Sequence, residues 1–210
     1  RDSGGLSDED VKTVSVTWGS SGGGIPCPGI EEFEYGGRIY HTTLIGDQCW
    51  MKENLDVGTM IISNEEPSDN GIIEKFCYEN DPANCEIYGG FYFWDELMDY
   101  GIEPGSKGIC PPGWHVPTDE EWMILEGNAD SYYGVGSPNW TFELGRGTDV
   151  ATRLKSTFGW DGNGNGTDDL GFTALPGGVI YADNSFCCEG AVGWWTTSST
   201  NALFDGAWPR

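Results

Sequence analysis

Glycine narrows the fold more than any other feature: 33 of the 210 residues have no side chain, roughly twice average usage. With 11 prolines, this predicts many turns and long loops and argues against a helix bundle. The length suits one domain with an appended arm, or two small domains. A compact fold of this size buries roughly 70 % of its extended-chain surface, so it does not need disulfides merely to fold. Ten Trp, nine Tyr and nine Phe supply the core material.

The cysteines narrow the compartment. All seven are scattered, at 27, 49, 77, 85, 110, 187 and 188, and no CxxC pair occurs. Only His41 and His115 could join them around a metal, which makes a zinc site a poor fit. Disulfides fit better and imply an oxidising environment. Seven is odd, so one thiol is free, bonds between chains, or has lost a partner. The net charge of −24 repels phosphate backbones and anionic membranes, so neither nucleic acid nor membrane is an expected partner. No apolar run approaches the ~18 residues of a membrane span. Residues 1–10 are polar and acidic, unlike a signal peptide, so the expected species is a mature or trimmed form.

Residues 1–30 read as an arm. Residues 11–18 alternate with period two and are β-branched, which predicts a strand, and residues 19–24 read as a Gly-rich linker. Residues 31–210 read as the body. A strand is expected over 38–45, continuing through Gln48-Cys49-Trp50-Met51, then a loop over 63–75. Residues 91–100 predict a helix with Phe91, Trp94, Leu97 and Met98 on one face and Gly101 as its stop. Thr118-Asp119-Glu120-Glu121 after Pro117 is a capping box, and Gly127 is the expected end of that helix. Residues 150–156 predict one further short turn of helix. Residues 171–175, 178–181 and 193–197 read as strands. The fold class is α+β: loop-rich, two main helices, short irregular antiparallel strands and an N-terminal β-strand arm.

Several blocks carry a family resemblance. They are Tyr35-Gly36-Gly37-Arg38-Ile39-Tyr40, Ile45-Gly46-Asp47-Gln48-Cys49-Trp50-Met51-Lys52-Glu53-Asn54-Leu55, and the loop from Cys77 to Cys85. Gly108-Ile109-Cys110-Pro111-Pro112-Gly113-Trp114-His115-Val116-Pro117-Thr118 follows, then residues 154–157, 171–178 and 194–198. In this order they resemble the Fibrobacter succinogenes major paralogous domain, from about residue 35 to 208. The resemblance implies a C-type-lectin-like fold and a secreted or surface protein of Fibrobacter or Bacteroidota; it implies little about activity. Family members usually run on through a further strand ending near a Cys, whereas this chain closes at Ala207-Trp208-Pro209-Arg210, so Cys110 is expected to look elsewhere for a partner.

Cys77 and Cys85 enclose the turn-forming Asn80-Asp81-Pro82, which predicts a local disulfide. Cys27 with Cys49 would pin the arm, and Cys110 would then pair with Cys187 or Cys188; a vicinal Cys187–Cys188 ring is the strained alternative. In residues 161–169, oxygen side chains alternate and Gly stands sixth. Asp161, Asn163, Asn165, the Thr167 carbonyl and Asp169 could therefore wrap one calcium ion. The twelfth position is Phe172, so any such site is weak, with Kd of ~10⁻⁴ M or worse. Trp194, Trp195 and Trp208 are candidates for stacking on a ligand, and core packing is the plainer role for each. No Gly-x-Ser-x-Gly elbow occurs, and both histidines read as structural, so no enzyme is expected. The sequence reads best as a secreted bacterial cell-surface module that recognises a glycan or protein. The rival is a subunit of an extracellular fibre, built by strand addition of the arm to copies of itself.

Overall fold

The structure, a computed structural model, describes residues 24–142, 145–181, 183–201 and 206–209, together with Lys12–Thr13. The strands are β1 (Lys12–Thr13), β2 (Glu32–Tyr35), β3 (Arg38–Ile45), β4 (Gln48–Met51), β5 (Thr59–Met60), β6 (Glu74–Lys75), β7 (Trp114–His115), β8 (Val179–Ile180), β9 (Phe186–Cys187), β10 (Thr196–Asn201) and β11 (Gly206–Pro209). The α-helices are α1 (Pro82–Tyr88), α2 (Trp94–Leu97), α3 (Asp119–Ala129) and α4 (Val150–Leu154). The class is mixed α+β, with small sheets and much loop.

The centre is the antiparallel sheet β2-β3-β4. Its Gly36-Gly37 and Gly46 turns adopt positive φ, which glycine alone visits at little cost. Strand β4 alternates between two cores: Cys49 and Met51 join Tyr40, Leu55, Val57, Met98, Ile109, Cys110 and Trp114, whereas Trp50 joins Ile45, Trp122, Leu125, Trp140, Leu154 and Phe172. Strand β4 is therefore covered on both faces, and the period of two that directs it is the pleat itself. Residues 24–30 lie along β3: the Leu44 N–H donates to Ile25 O and the Cys27 N–H to Thr42 Oγ1. Strand β1 pairs in parallel with β7; the other residues of the predicted arm strand, 11 and 14–18, lie outside the described residues.

Helix α3 forms as its cap predicts. Thr118 Oγ1 accepts from the Glu121 N–H at 3.2 Å, and Glu121 Oε2 accepts from the Thr118 N–H at 2.7 Å. The helix runs through Gly127 and ends at Ala129. Gly127 is no stop: a Cβ there would meet Val135 Cα at 2.6 Å, so glycine lets the following loop close over the helix. Asp130 then ties that loop down, accepting N–H groups from Tyr132, Tyr133, Thr148, Asp149 and Val150.

Three other expectations change. The helix over 91–100 shrinks to α2, because Phe91 exchanges backbone hydrogen bonds with Phe76 and Asp99 and Tyr100 adopt positive φ. The loop between Cys77 and Cys85 contains a helix start: Asp81 caps α1 through the Ala83 N–H, and Pro82 occupies its first turn. Residues 171–175 are no strand, since Thr173 sits at φ 58° with its N–H and hydroxyl both donated to buried Asp168. Only Ala174 of that run makes a bridge, to Lys155.

Candidate functional site

Cys27 bonds to Cys49 and Cys77 to Cys85. The expected pairing of Cys110 with Cys187 or Cys188 is corrected: the alternative vicinal bond joins Cys187 to Cys188, and Cys110 is a buried free thiol. Cys110 sits in the first core, on the loop before β7, and burial pushes its pKa up to about 12. A thiol so rarely ionised is a poor nucleophile.

The histidines are held by carboxylates. His41 Nδ1 lies 2.8 Å from Glu53 Oε1 and His115 Nε2 lies 2.8 Å from Glu121 Oε1. The second pair ties β7 to the cap of α3, a structural task. Burial raises the Glu53 pKa against the hydrogen bonds from His41.

The predicted calcium loop keeps its turns but turns oxygens toward protein partners. Asn165 Oδ1 accepts from the Trp160 N–H at 2.9 Å. Asp169 pairs with Arg153 at 3.0 Å, and the Thr167 hydroxyl together with Arg153 holds its carboxyl below the usual range. The Asp161 N–H donates to Gly190 O, and Asn163 adopts positive φ. The Lys155 ammonium lies 3.9 Å from the Trp160 ring centroid. Among the described residues, no three His, Cys, Asp or Glu side chains gather where they could hold a metal ion, and no helix is long and apolar enough to cross a membrane.

A cleft of about 460 Å³ opens among the described residues, within the range typical of ligand sites. Three segments far apart in sequence line it: residues 90–94 leading into α2, β8 with Tyr181, and residues 194–196. Buried Cys110, Val116 and Trp122 form its base. Tyr181 and Trp194, 47 % and 55 % exposed, stand at its mouth. No lining side chain is charged, although the chain carries −24. Its polar groups are largely engaged. Tyr92 Oη accepts from the Val57 N–H and donates to Val57 O, and Trp94 Nε1 donates to Thr197 O. Trp122 Nε1 is buried without an acceptor among the described residues.

The structure thus brings Trp194 and Trp195 together in one cleft, Trp195 half-buried against the second core. Trp208 lies in β11, and its side chain lies outside the described residues. Sequence reading missed Tyr181, Phe91 and Trp122 as lining residues, and no local pattern marks them.

The sequence profile of the Fibrobacter succinogenes major domain matches residues 44–208. No curated protein matches the chain, and no solved structure does. Two disulfides around the central sheet and α1, the capped α3 and the aromatic segments that frame the cleft all lie wholly or partly within the matched span, and on that match the chain belongs to the Fibrobacter succinogenes major domain family.

Proposed function

We propose that this domain is a non-enzymatic recognition module of the bacterial cell exterior, C-type-lectin-like in fold, and that it binds its ligand in the aromatic cleft. One observation carries the reading: an uncharged aromatic cleft, with Trp194 half exposed at its mouth, in a strongly acidic chain. Burying such surface on a partner is favourable by roughly 25 cal/mol per Å². The disulfides support an extracytosolic setting.

Between glycan and protein, the cleft favours a protein partner that inserts an apolar side chain. A sugar needs several hydrogen-bonding groups beside its stacking ring, and here Tyr92 and Trp94 already bond within the fold. The test is a peptide display library panned in parallel with a glycan array. Selected peptides with an apolar anchor should lose at least tenfold affinity on Trp194→Ala. Sugar binding that survives that substitution would sink the reading.

Calcium enters this proposal as a weak accessory at the 161–169 loop, where Arg153 must first release Asp169. Calorimetry at millimolar calcium decides it: heat that grows in Arg153→Ala supports the site, and silence in both proteins removes it. A fibre is the second reading, motivated by the pairing of β1 with β7, a ladder that the arm of another copy could occupy. Light scattering of the full chain tests this, and a strict monomer at all concentrations counts against it.

A further inference from the structure

Adjacent cysteines bonded to each other stand beside the cleft. Across the β8–β9 ladder, Val179 faces Cys187 and Ile180 faces Phe186. Val179 and Ile180 are cleft wall. On the other side of the bond, Cys188 adopts φ 70°, and its carbonyl accepts the N–H groups of Ala191 and Val192 at 3.0 and 2.9 Å. The Val192 carbonyl in turn accepts the Gly178 N–H at 2.8 Å. Two residues beyond Val192 the chain reaches Trp194, in another of the segments that line the cleft. The disulfide ring, the left-handed Cys188 and the turn after it therefore form one unit joining the two segments. Gly178 is required there, since a Cβ would meet Cys187 O at 2.6 Å.

A non-glycine residue at positive φ is held there at a cost. Cys188 is held by the covalent ring, by the two N–H bonds to its carbonyl and by the contact of its Sγ with Tyr181 Oη at 4.0 Å. Opening the ring leaves the other contacts alone against the pull of the ordinary backbone regions.

The other bridges are shielded. Cys27, Cys49, Cys77 and Cys85 are all buried, whereas Cys187 and Cys188 are partly exposed, and thiol–disulfide exchange needs access to a sulfur. Cys110 is buried and does not compete as an attacking thiolate.

We propose that the Cys187–Cys188 disulfide is a redox-sensitive clasp: a small dithiol opens it while both buried bridges stay closed, and opening loosens the Trp194 wall of the cleft. A dithiol thiolate attacks one sulfur of the bond, giving a mixed disulfide. The second dithiol sulfur displaces it. Two electrons pass to the protein, the dithiol closes to its own disulfide, and one proton ends on each of Cys187 Sγ and Cys188 Sγ. The consequence for binding rests on the cleft reading; the clasp itself does not.

The test titrates dithiothreitol onto the folded chain, traps thiols with iodoacetamide and locates them by peptide mass spectrometry. Cys187 and Cys188 should be alkylated together at a concentration that leaves the other five cysteines unmodified. Hydrogen exchange at the Ala191 and Val192 amides should then accelerate about tenfold. The Cys187→Ser/Cys188→Ser protein should show the same acceleration without dithiol; if it fails to fold, the reduction arm decides alone. Nile red, a neutral apolar dye, reports on the cleft. Opening of Cys77–Cys85 first, or unchanged exchange at residues 191–192 after reduction, overturns the clasp. Faster exchange in a protein that never binds the dye keeps the clasp and counts against the cleft. Dye binding with unchanged exchange does the reverse.

Discussion

Trp50 and Trp194 belong to regions that use the same residue type in opposite ways. Around Trp50, a strand, a helix and a loop converge: its ring lies 5.1 Å from Trp122 and 5.9 Å from Phe172, and none of it is exposed. Around Trp194, short strands and turns converge, and more than half of the residue is exposed. The first region sits on β4, whose pleat directs side chains into two cores. The second is reached through the Cys188 turn, with no regular element to aim it. Aromatic content therefore says little about role; what matters is whether a regular backbone aims the ring inward.

The largest effect should come from breaking the first region. Trp50→Ala removes a ring that three elements pack against, and large-to-small core changes of this kind cost about 3–5 kcal/mol. Urea unfolding should show the loss as a lower midpoint at unchanged slope. A loss below about 1 kcal/mol would mean the two regions differ less than their burial says.

The body also holds buried carboxylates, so its stability should titrate where the rim's does not. Glu126 pairs with Arg146 at 2.7 Å, yet burial outweighs that partner and raises its pKa from 4.5 to about 7. The folded state therefore keeps a proton that the unfolded chain releases. Its contribution is complete below pH 4.5 and is lost as pH rises through about 7, on the order of 3 kcal/mol. Asp130, one turn on, runs the other way: burial would raise it, but the backbone N–H groups it accepts, chiefly those of Tyr133, Thr148, Tyr132 and Asp149, win and hold it well below 3.8. Its contribution is complete above that ordinary value and lost as pH falls through the native one. Stability should thus decline from weakly acidic pH toward pH 8, and Glu126→Gln should flatten that decline in urea titrations.

A smaller effect tests the junction between the regions. Thr118 caps α3, and β10 is tied to the same corner by the Ser198 N–H donating to Pro117 O and by Ser199 Oγ accepting from the Asp119 N–H. Thr118→Ala should cost about 1–2 kcal/mol, and Thr118→Ser should recover most of it. Equal losses for both would assign the effect to packing of the methyl group instead of the cap.

Legibility in the sequence followed the same division. Strand β3 was readable to its ends, because its signals are local: two Gly turns and a β-branched run. The α3 start was readable from Thr118 and Glu121 for the same reason. Helix α1 has a local signal too, Asp81 before Pro82, but the same pair reads equally well as a turn. The end of α3 was misread because Gly127 answers to a tertiary approach by Val135. Residues 171–175 look like a strand in composition, but Asp168 captures Thr173. The cleft was the least readable part. Its walls come from residues near 92, 180 and 195, and only Trp194 and Trp195 could be named, on residue type alone. Likewise, seven cysteines in a sequence do not reveal that Cys110 is enclosed by the first core while Cys187 turns to its neighbour.

The smallest expected effect on stability is at the rim, and it separates the regions most cleanly. Trp194→Ala should change unfolding free energy by no more than about 0.5 kcal/mol, the usual range for exposed positions without special contacts. Neutrality is expected because half of the ring already faces solvent and because the turn that delivers it is held by backbone bonds from Gly178, Ala191 and Val192, which the substitution leaves in place. Binding of an apolar probe should fall at the same time, since the mouth of the cleft loses its largest exposed ring. A protein as destabilised as Trp50→Ala would place Trp194 in the core's service and leave the cleft without a recognition surface. Unchanged stability with lost binding is the outcome that a surface kept open for a ligand requires.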